Sequence, residues 1–211
     1  MQLKIYIPRH PLVTHLANLI QSVDMPPNFI KNSVVELSYW MFYEAVKDWL
    51  SVINVELNFV EQSNESQLID PEVNLYAIPI FKSGLLMTEG ITKLLSNIKL
   101  FYISFQLEND FHSISSEDLN YFSLIPKKSK FLIFDSVVFA SDKILSILSA
   151  MASKGIDFDT VRIVFILCTS NVLQDIAEQY PNLTIYSACV KEVQEPDQII
   201  PYQKLQDHLF I

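Results

Sequence analysis

The residues with the clearest chemical potential lie between Phe131 and Ala150, in the stretch FLIFDSVVFASDKILSILSA. Four apolar residues end at Asp135, a short turn follows, and an apolar-periodic run begins near Lys143. The spacing predicts strand, loop and helix, the unit that α/β folds place at their ligand crevice. A carboxylate at the end of a strand can hold sugar hydroxyls, and a helix N-terminus can hold a phosphate. The loop itself is unsuited to that work. Ser136, Ala140 and Ser141 stand in a segment without glycine, so its backbone cannot readily adopt positive φ or let a phosphate approach closely. Asp142 stands where the helix start would meet the anion and would repel it. A second turn, Lys82-Ser83-Gly84, also lies between a strand and a helix and offers one cation and one glycine. The pattern is that of a nucleotide-type site whose chemistry has been removed.

Other reactive side chains read more plainly. His10 and His15 fit one helix cap and one exposed position, with a role as polar site residues as the alternative. Lys127, Lys128 and Lys130 form a solvated basic turn that could also attract anions. Cys168 and Cys189 sit in apolar strand-like runs and read as buried inert thiols, with a disulfide or redox role as the other reading. Asp157 and Asp159 read as turn formers. No grouping reads as a metal site.

Elements must carry these residues into place. Met1–Ile7 suits a short edge strand and Val13–Ser22 a helix. Met25-Pro26-Pro27-Asn28 is a break, with Asn28 able to cap the long helix Phe29–Leu50. That helix is apolar on nearly every side and belongs in a core or at an interface rather than around an aromatic ligand. Ser51–Val60 alternates as a strand, and Glu61–Pro71 reads as a loop. Leu75–Ile80, Ile98–Phe105, Val161–Cys168 and Leu183–Val190 read as further strands. Helices fit Leu85–Ser96, Lys143–Lys154 (ended by Gly155) and Asn171–Tyr180 (capped by Ser170). Residues 106–125 form a lid, arm or small hairpin. The order predicts an α/β fold with a mainly parallel sheet flanked by helices, in one domain over residues 1–211.

Composition bounds the function. Half of the 211 residues are apolar, which favours a permanent oligomer, and the net charge of −9 argues against nucleic acid or an anionic membrane as partner. No apolar run approaches the roughly 20 residues of a membrane helix, and no signal-peptide pattern opens the chain. Lysine outnumbers arginine 13 to 2, and glycine totals 3, a bias of AT-rich coding that fits a plastid stroma or a cytoplasm.

End to end, the chain resembles the uracil phosphoribosyltransferases, of the type I phosphoribosyltransferase superfamily. His10-Pro11-Leu12 with His15 is similar to the family's HPLxxH. Tyr43-Glu44-Ala45 with Asp48 resembles its YEAxxD. Pro79 to Met87 resembles the PILRAGLGM turn that contacts pyrophosphate, and Ile133-Phe134-Asp135 the start of the phosphoribosyl loop, DPMLATGGS. Ile199-Ile200-Pro201 and Asp207-His208-Leu209-Phe210 resemble the edges of the uracil segment, which implies base contacts at Ile200, Pro201 and Tyr202. The departures fall on the functional positions. Lys82 replaces an arginine and loses its bidentate fork. Ala140-Ser141-Asp142-Lys143 replaces Thr-Gly-Gly-Ser, and Tyr202-Gln203-Lys204-Leu205-Gln206 lacks the GDAG glycines and acid. The region near Phe105-Gln106-Leu107-Glu108 has no arginine where the family's flap carries YRD.

The resemblance implies a homodimer, with residues 106–123 suited to the contact. It also implies that any activity would need Mg²⁺, and no cofactor otherwise. Since the reaction depends on positioning and charge, and one lost anion donor costs roughly 3 kcal/mol, altering four loops predicts a catalytically inactive relative serving as scaffold or interaction subunit. Two alternatives stand beside it. One is a working salvage enzyme using Lys82, Lys143, Lys128 and Lys130. The other is a non-catalytic nucleotide or anion sensor with Ser141 and Lys143 as phosphate contacts.

Overall fold

A computed structural model describes residues 2–22, 24–58, 63–108 and 111–192. The chain runs through β1 (Lys4–Tyr6), α1 (Pro11–Gln21), α2 (Pro27–Val46), the hairpin β2 (Val52–Asn58) and β3 (Ser63–Ile69), and β4 (Leu75–Pro79). A 3₁₀ turn at Ser83–Leu86 leads into α3 (Met87–Leu94) and β5 (Lys99–Leu100). A second hairpin follows, β6 (Phe105–Glu108) with β7 (Phe111–Ile114), then α4 (Ser116–Phe122), β8 (Lys130–Val138) and α5 (Asp142–Ser153). The described chain ends with β9 (Val161–Thr169), α6 (Ser170–Gln179) and β10 (Thr184–Lys191).

Six strands form one parallel sheet in the order β1-β10-β9-β8-β4-β5. The inner strands read as continuous apolar runs because both faces are covered. Along β8, Leu132 and Phe134 pack with Leu37, Met41 and Phe42 of α2 on one face. Phe131 and Ile133 pack with Ile144, Ile147 and Leu148 of α5 on the other. The order of the strands reverses between β4 and β8: β4 crosses to β5 on one side, and β8 to β9 and β10 on the other. The carboxyl ends of β4 and β8 therefore diverge into a crevice, the place where open α/β sheets bind ligands.

Several expectations need correction. Asp135 does not end its strand; β8 continues to Val138 and pairs with β9 as far as Cys168. Val137 and Val138 are β-branched and suit a pleated buried strand, so the turn shrinks to Phe139–Ser141. Residues 63–69, expected as loop, pair antiparallel with β2 from Val52↔Ile69 to Asn58↔Ser63. The strand expected at Ile98–Phe105 is only two residues of β5, and β6 starts at Phe105. Asn28 lies inside α2, which begins with Pro27 at its first turn behind Pro26. Thr169, not Ser170, occupies the cap position of α6.

The histidines and the C-terminal stop of α5 behave as expected, and the long helix joins the core as expected but ends at Val46 rather than Leu50. His10 caps α1, its Nδ1 accepting from the Leu12 amide at 3.2 Å, and His15 is exposed. Helix α2 buries Val34, Leu37, Met41 and Phe42 completely and leaves Trp40 and Tyr43 outside. Gly155 takes φ +68 after α5. Cys168 is buried and its thiol is pushed up to about 12 by desolvation, which makes it inert. Cys189, expected to be buried, is half-buried, and both cysteines are free.

Candidate functional site

The crevice is a cleft of about 880 Å³ whose polar lining includes Lys82, Ser83, His112, Asp135, Asp142 and Lys143. Phe81, Val138, Phe139, Ala140 and Ile144 supply most of the apolar wall. The turn after β4 brings in Lys82, Ser83 and Gly84 because it is drawn tightly onto β8. The Ile80 amide donates to the Phe134 carbonyl at 2.9 Å. A Cβ on Gly84 would stand 2.6 Å from that carbonyl oxygen and 3.3 Å from Pro79 Cα. Glycine is needed here for close approach of backbone to backbone. The Phe81–Lys82 peptide bond is cis, and Lys82 is exposed at the cleft mouth.

Asp135 is 5% exposed and lines the cleft from within β8. Its Oδ1 accepts from the Ser83 hydroxyl and from the Ser136 amide at 2.7 Å. Burial pushes the carboxyl up to about 7, against the pull of Ser83, Ser136 and the Lys143 charge. Near neutrality it is therefore partly protonated and can both donate and accept. Ser136 is buried off the cleft lining, and its own hydroxyl has no partner among the described residues.

The N-terminus of α5 forms the opposite wall. Ser141 occupies the cap position, yet its hydroxyl does not cap the helix; it donates to Asp175 Oδ2 of α6 at 2.6 Å. Asp142 is the first helical residue, where a carboxylate is favoured by the helix dipole. Its Oδ2 lies 3.2 Å from His112 Nε2 on β7. Lys143 extends across the mouth: its Nζ donates to the Phe81 carbonyl at 3.3 Å and lies 6.0 Å from the Phe105 ring centroid.

The fold thus gathers Lys82, Ser83, Asp135, Ala140, Asp142 and Lys143 into one cleft, with Gly84 behind them, and turns Ser136 and Ser141 elsewhere. Ile200, Pro201 and Tyr202 lie outside the described residues. Asp48, the acid of the helical motif, stands apart from the cleft. Arg162 of β9 grips it with a two-pronged contact, at 2.6 and 2.7 Å, and stacks on Trp49 with 4.1 Å to the ring centroid. Two residues at the site have no local sequence signal. His112 is carried into the cleft by the β6–β7 register, opposite Leu107. Asp175, outside the cleft lining, reaches Ser141 from the next helix.

A divalent cation finds no ready cage. Among the described residues no three His, Cys, Asp or Glu side chains converge. Of the two cleft acids, one is buried on Ser83 and the other is paired with His112. Among the described residues, the cleft donors do not form a cage that fits a resident metal ion. Among the described residues no helix is long and apolar enough to cross a membrane.

Over residues 7–202 the chain matches the family model described as uracil phosphoribosyltransferase. It is 28% identical over 195 residues to the uracil phosphoribosyltransferase of Synechocystis sp., covering 90% of this chain and 88% of that one. In structure it is similar to the AQ2163 protein of Aquifex aeolicus, with a TM-score of 0.77 at 19% identity over 98% of this chain and 97% of that one. It is also similar to the adenine phosphoribosyltransferase of Trypanosoma brucei solved with AMP, pyrophosphate and ribose-5-phosphate. There the TM-score is 0.54 at 12% identity, over 91% of this chain and 88% of that one. The sheet with its switch-point cleft is that of the type I phosphoribosyltransferases, and the chain belongs to the uracil phosphoribosyltransferase family.

Proposed function

We propose that this chain is a non-catalytic member of its family, acting as a scaffold or interaction subunit in a plastid stroma or cytoplasm. The observation that carries the reading is the state of the α5 N-terminus. A helix start offers unpaired amides and a positive dipole end to an anion. Here that place holds the Asp142 carboxylate, fixed by His112 at 3.2 Å, while the Ser141 hydroxyl is turned to Asp175. A phosphate entering the cleft would meet the Asp142 carboxylate beside the amides it needs, and that repulsion opposes its binding.

Lys143 keeps its charge while donating to the Phe81 carbonyl, but the Asp142 carboxylate next to it in the chain opposes the attraction it offers an anion. Asp135, the acid expected on the ribose side, is buried and partly protonated near neutrality, which weakens it as a partner for a developing positive charge on a sugar. The sheet and both cores persist while the loops have lost their anion donors, as suits a protein kept for its shape. Phosphoribosyl transfer relies on preorganised charge, so rates near background follow.

The test is a labelled-uracil assay with phosphoribosyl pyrophosphate and Mg²⁺, alongside calorimetry with UMP, GTP and phosphoribosyl pyrophosphate. No UMP above background and no heat up to millimolar ligand are expected. UMP formed at ordinary enzyme rates would establish the salvage enzyme instead, and heat without turnover would establish the sensor.

A further inference from the structure

We propose that the amino-terminal end of the sheet is a docking surface for a short acidic segment of a partner protein, bound by Lys99, Lys127, Lys128 and Lys130. The proposal gives the interaction-subunit reading above a face and a partner chemistry, and it rests on that reading. The surface lies at the end of the sheet away from the cleft. Lys99 opens β5 and Lys130 opens β8. Lys127 and Lys128 stand exposed in the turn that leads into β8. A groove of about 430 Å³ is lined there by Lys128, Lys130, Glu72, Val73 and Asn74. Lys99 joins it through Asn74, whose Oδ1 accepts from the Lys99 Nζ at 2.6 Å.

The backbone that carries these lysines is fastened on both sides of the turn. The Ser129 amide donates to the Pro126 carbonyl and the Lys130 amide to the Asn74 carbonyl, each at 2.9 Å. Lys130 Nζ donates to the Trp49 carbonyl at 3.0 Å and lies 5.5 Å from the Trp49 ring centroid, which leaves it further N–H donors. Cations positioned in advance lose less freedom when a ligand arrives.

Their charge is not met within the chain. Among the described residues none of the four forms an ion pair, whereas Lys47, Lys93 and Arg162 each do. Glu72 is the one acid among the described residues of the groove lining, and the nearby Asp48 is taken by Arg162. Burial, and behind it the Arg162 charge, hold the Lys130 ammonium below the usual lysine range, against the pull of Asp48. Four cations thus stand together in a chain of net charge −9, and carboxylates brought by a partner relieve their mutual repulsion. The same net charge selects the occupant. A nucleic acid or an anionic membrane spreads its charge beyond this patch and meets the acidic remainder of the surface. A short acidic segment sets its carboxylates on the patch alone.

The experiment is fluorescence anisotropy of a short fluorescein-labelled peptide of alternating glutamate and serine, titrated with the whole chain at low ionic strength. Saturable binding is expected, weakening as added salt shortens the screening length. Lys127→Glu combined with Lys128→Glu should weaken it about tenfold or more, and both side chains are exposed, so the fold is kept. Lys82→Glu combined with Lys143→Glu makes the same change of charge at the cleft and should leave the affinity within about twofold. No binding to the wild type, an equal loss in both variants, or tighter binding of an oligothymidylate of the same length or of phosphatidylserine vesicles overturns the proposal. So does a fall in the mass of the free chain on changing Lys127 and Lys128, which would make a second copy the occupant. None of these measurements involves turnover, so the docking surface can fail while the non-catalytic reading stands, and the reverse.

Discussion

Across mildly acidic pH, Asp135 makes the fold less stable as the medium becomes more alkaline. Its carboxyl ionises at about 3.8 when unperturbed and at about 7 in the fold, because burial penalises the charged form. Between those values the folded chain keeps a proton that the unfolded chain has released, so the contribution to stability declines through that window and is level outside it. Asp135→Asn retains an Oδ1 that can accept from Ser83 and from the Ser136 amide, and it cannot ionise. Urea denaturation in steps from pH 4 to 8 should show the variant gaining on the wild type by on the order of a few kcal/mol across the window. Parallel curves would mean that Asp135 is ionised throughout. The sequence marks this residue as the acid of the site but places it at a strand end, since a lone charge after an apolar run reads as the point where the chain reaches water. Burial is tolerated because Ser83, 52 residues earlier in the chain, supplies a hydroxyl, and no local pattern shows that pairing.

Elements differ in how far their own residues determine them. β4, β8 and β9 are legible because covered parallel strands are apolar throughout, and α5 because its period is clear and Gly155 stops it. β3 is not. Ser63-Asn64-Glu65-Ser66-Gln67 has the composition of a loop, and what makes it a strand is seven-residue backbone pairing with β2. The β6–β7 hairpin is similarly set by pairing, so His112 could not be placed beside Asp142 in advance. The turn after β4 was legible, and its glycine gives a test at this scale. Gly84→Ala would place a Cβ 2.6 Å from the Phe134 carbonyl oxygen, a backbone atom in the middle of β8 that cannot step aside. The 3₁₀ turn must then lift from the sheet, at a cost of about 1–3 kcal/mol. A lowered urea midpoint with an unchanged m-value is the expected result. A midpoint equal to that of the wild type would mean that the turn is not held against β8 as described.

At the scale of the molecule, composition and fold together point outward. Half of the residues are apolar, yet two covered sheet faces do not absorb them all. Val52, Ile53, Leu68 and Ile69 remain exposed on the β2–β3 hairpin, and Phe29, Trp40 and Tyr43 on α2. A two-stranded hairpin is marginal by itself in water, and its exposed apolar pairs, Val52 with Ile69 on one face and Ile53 with Leu68 on the other, are suited to cover by a partner. Within the segment first suited to a dimer contact, residues 106–123, His112 of β7 lies against α5, and β2–β3 offers a second arm. We therefore expect a homodimer in light scattering at micromolar concentration. Ile53→Lys combined with Leu68→Lys, placed opposite each other on the paired strands, should shift it toward monomer while the far-ultraviolet spectrum stays unchanged. The like charges add a repulsion that the hairpin must meet both alone and in an interface, so the spectrum is the control that separates loss of association from loss of the strand pair. A wild-type chain that runs as a monomer would leave the exposed rows for a different protein, as suits an interaction subunit, and would remove self-association from this account.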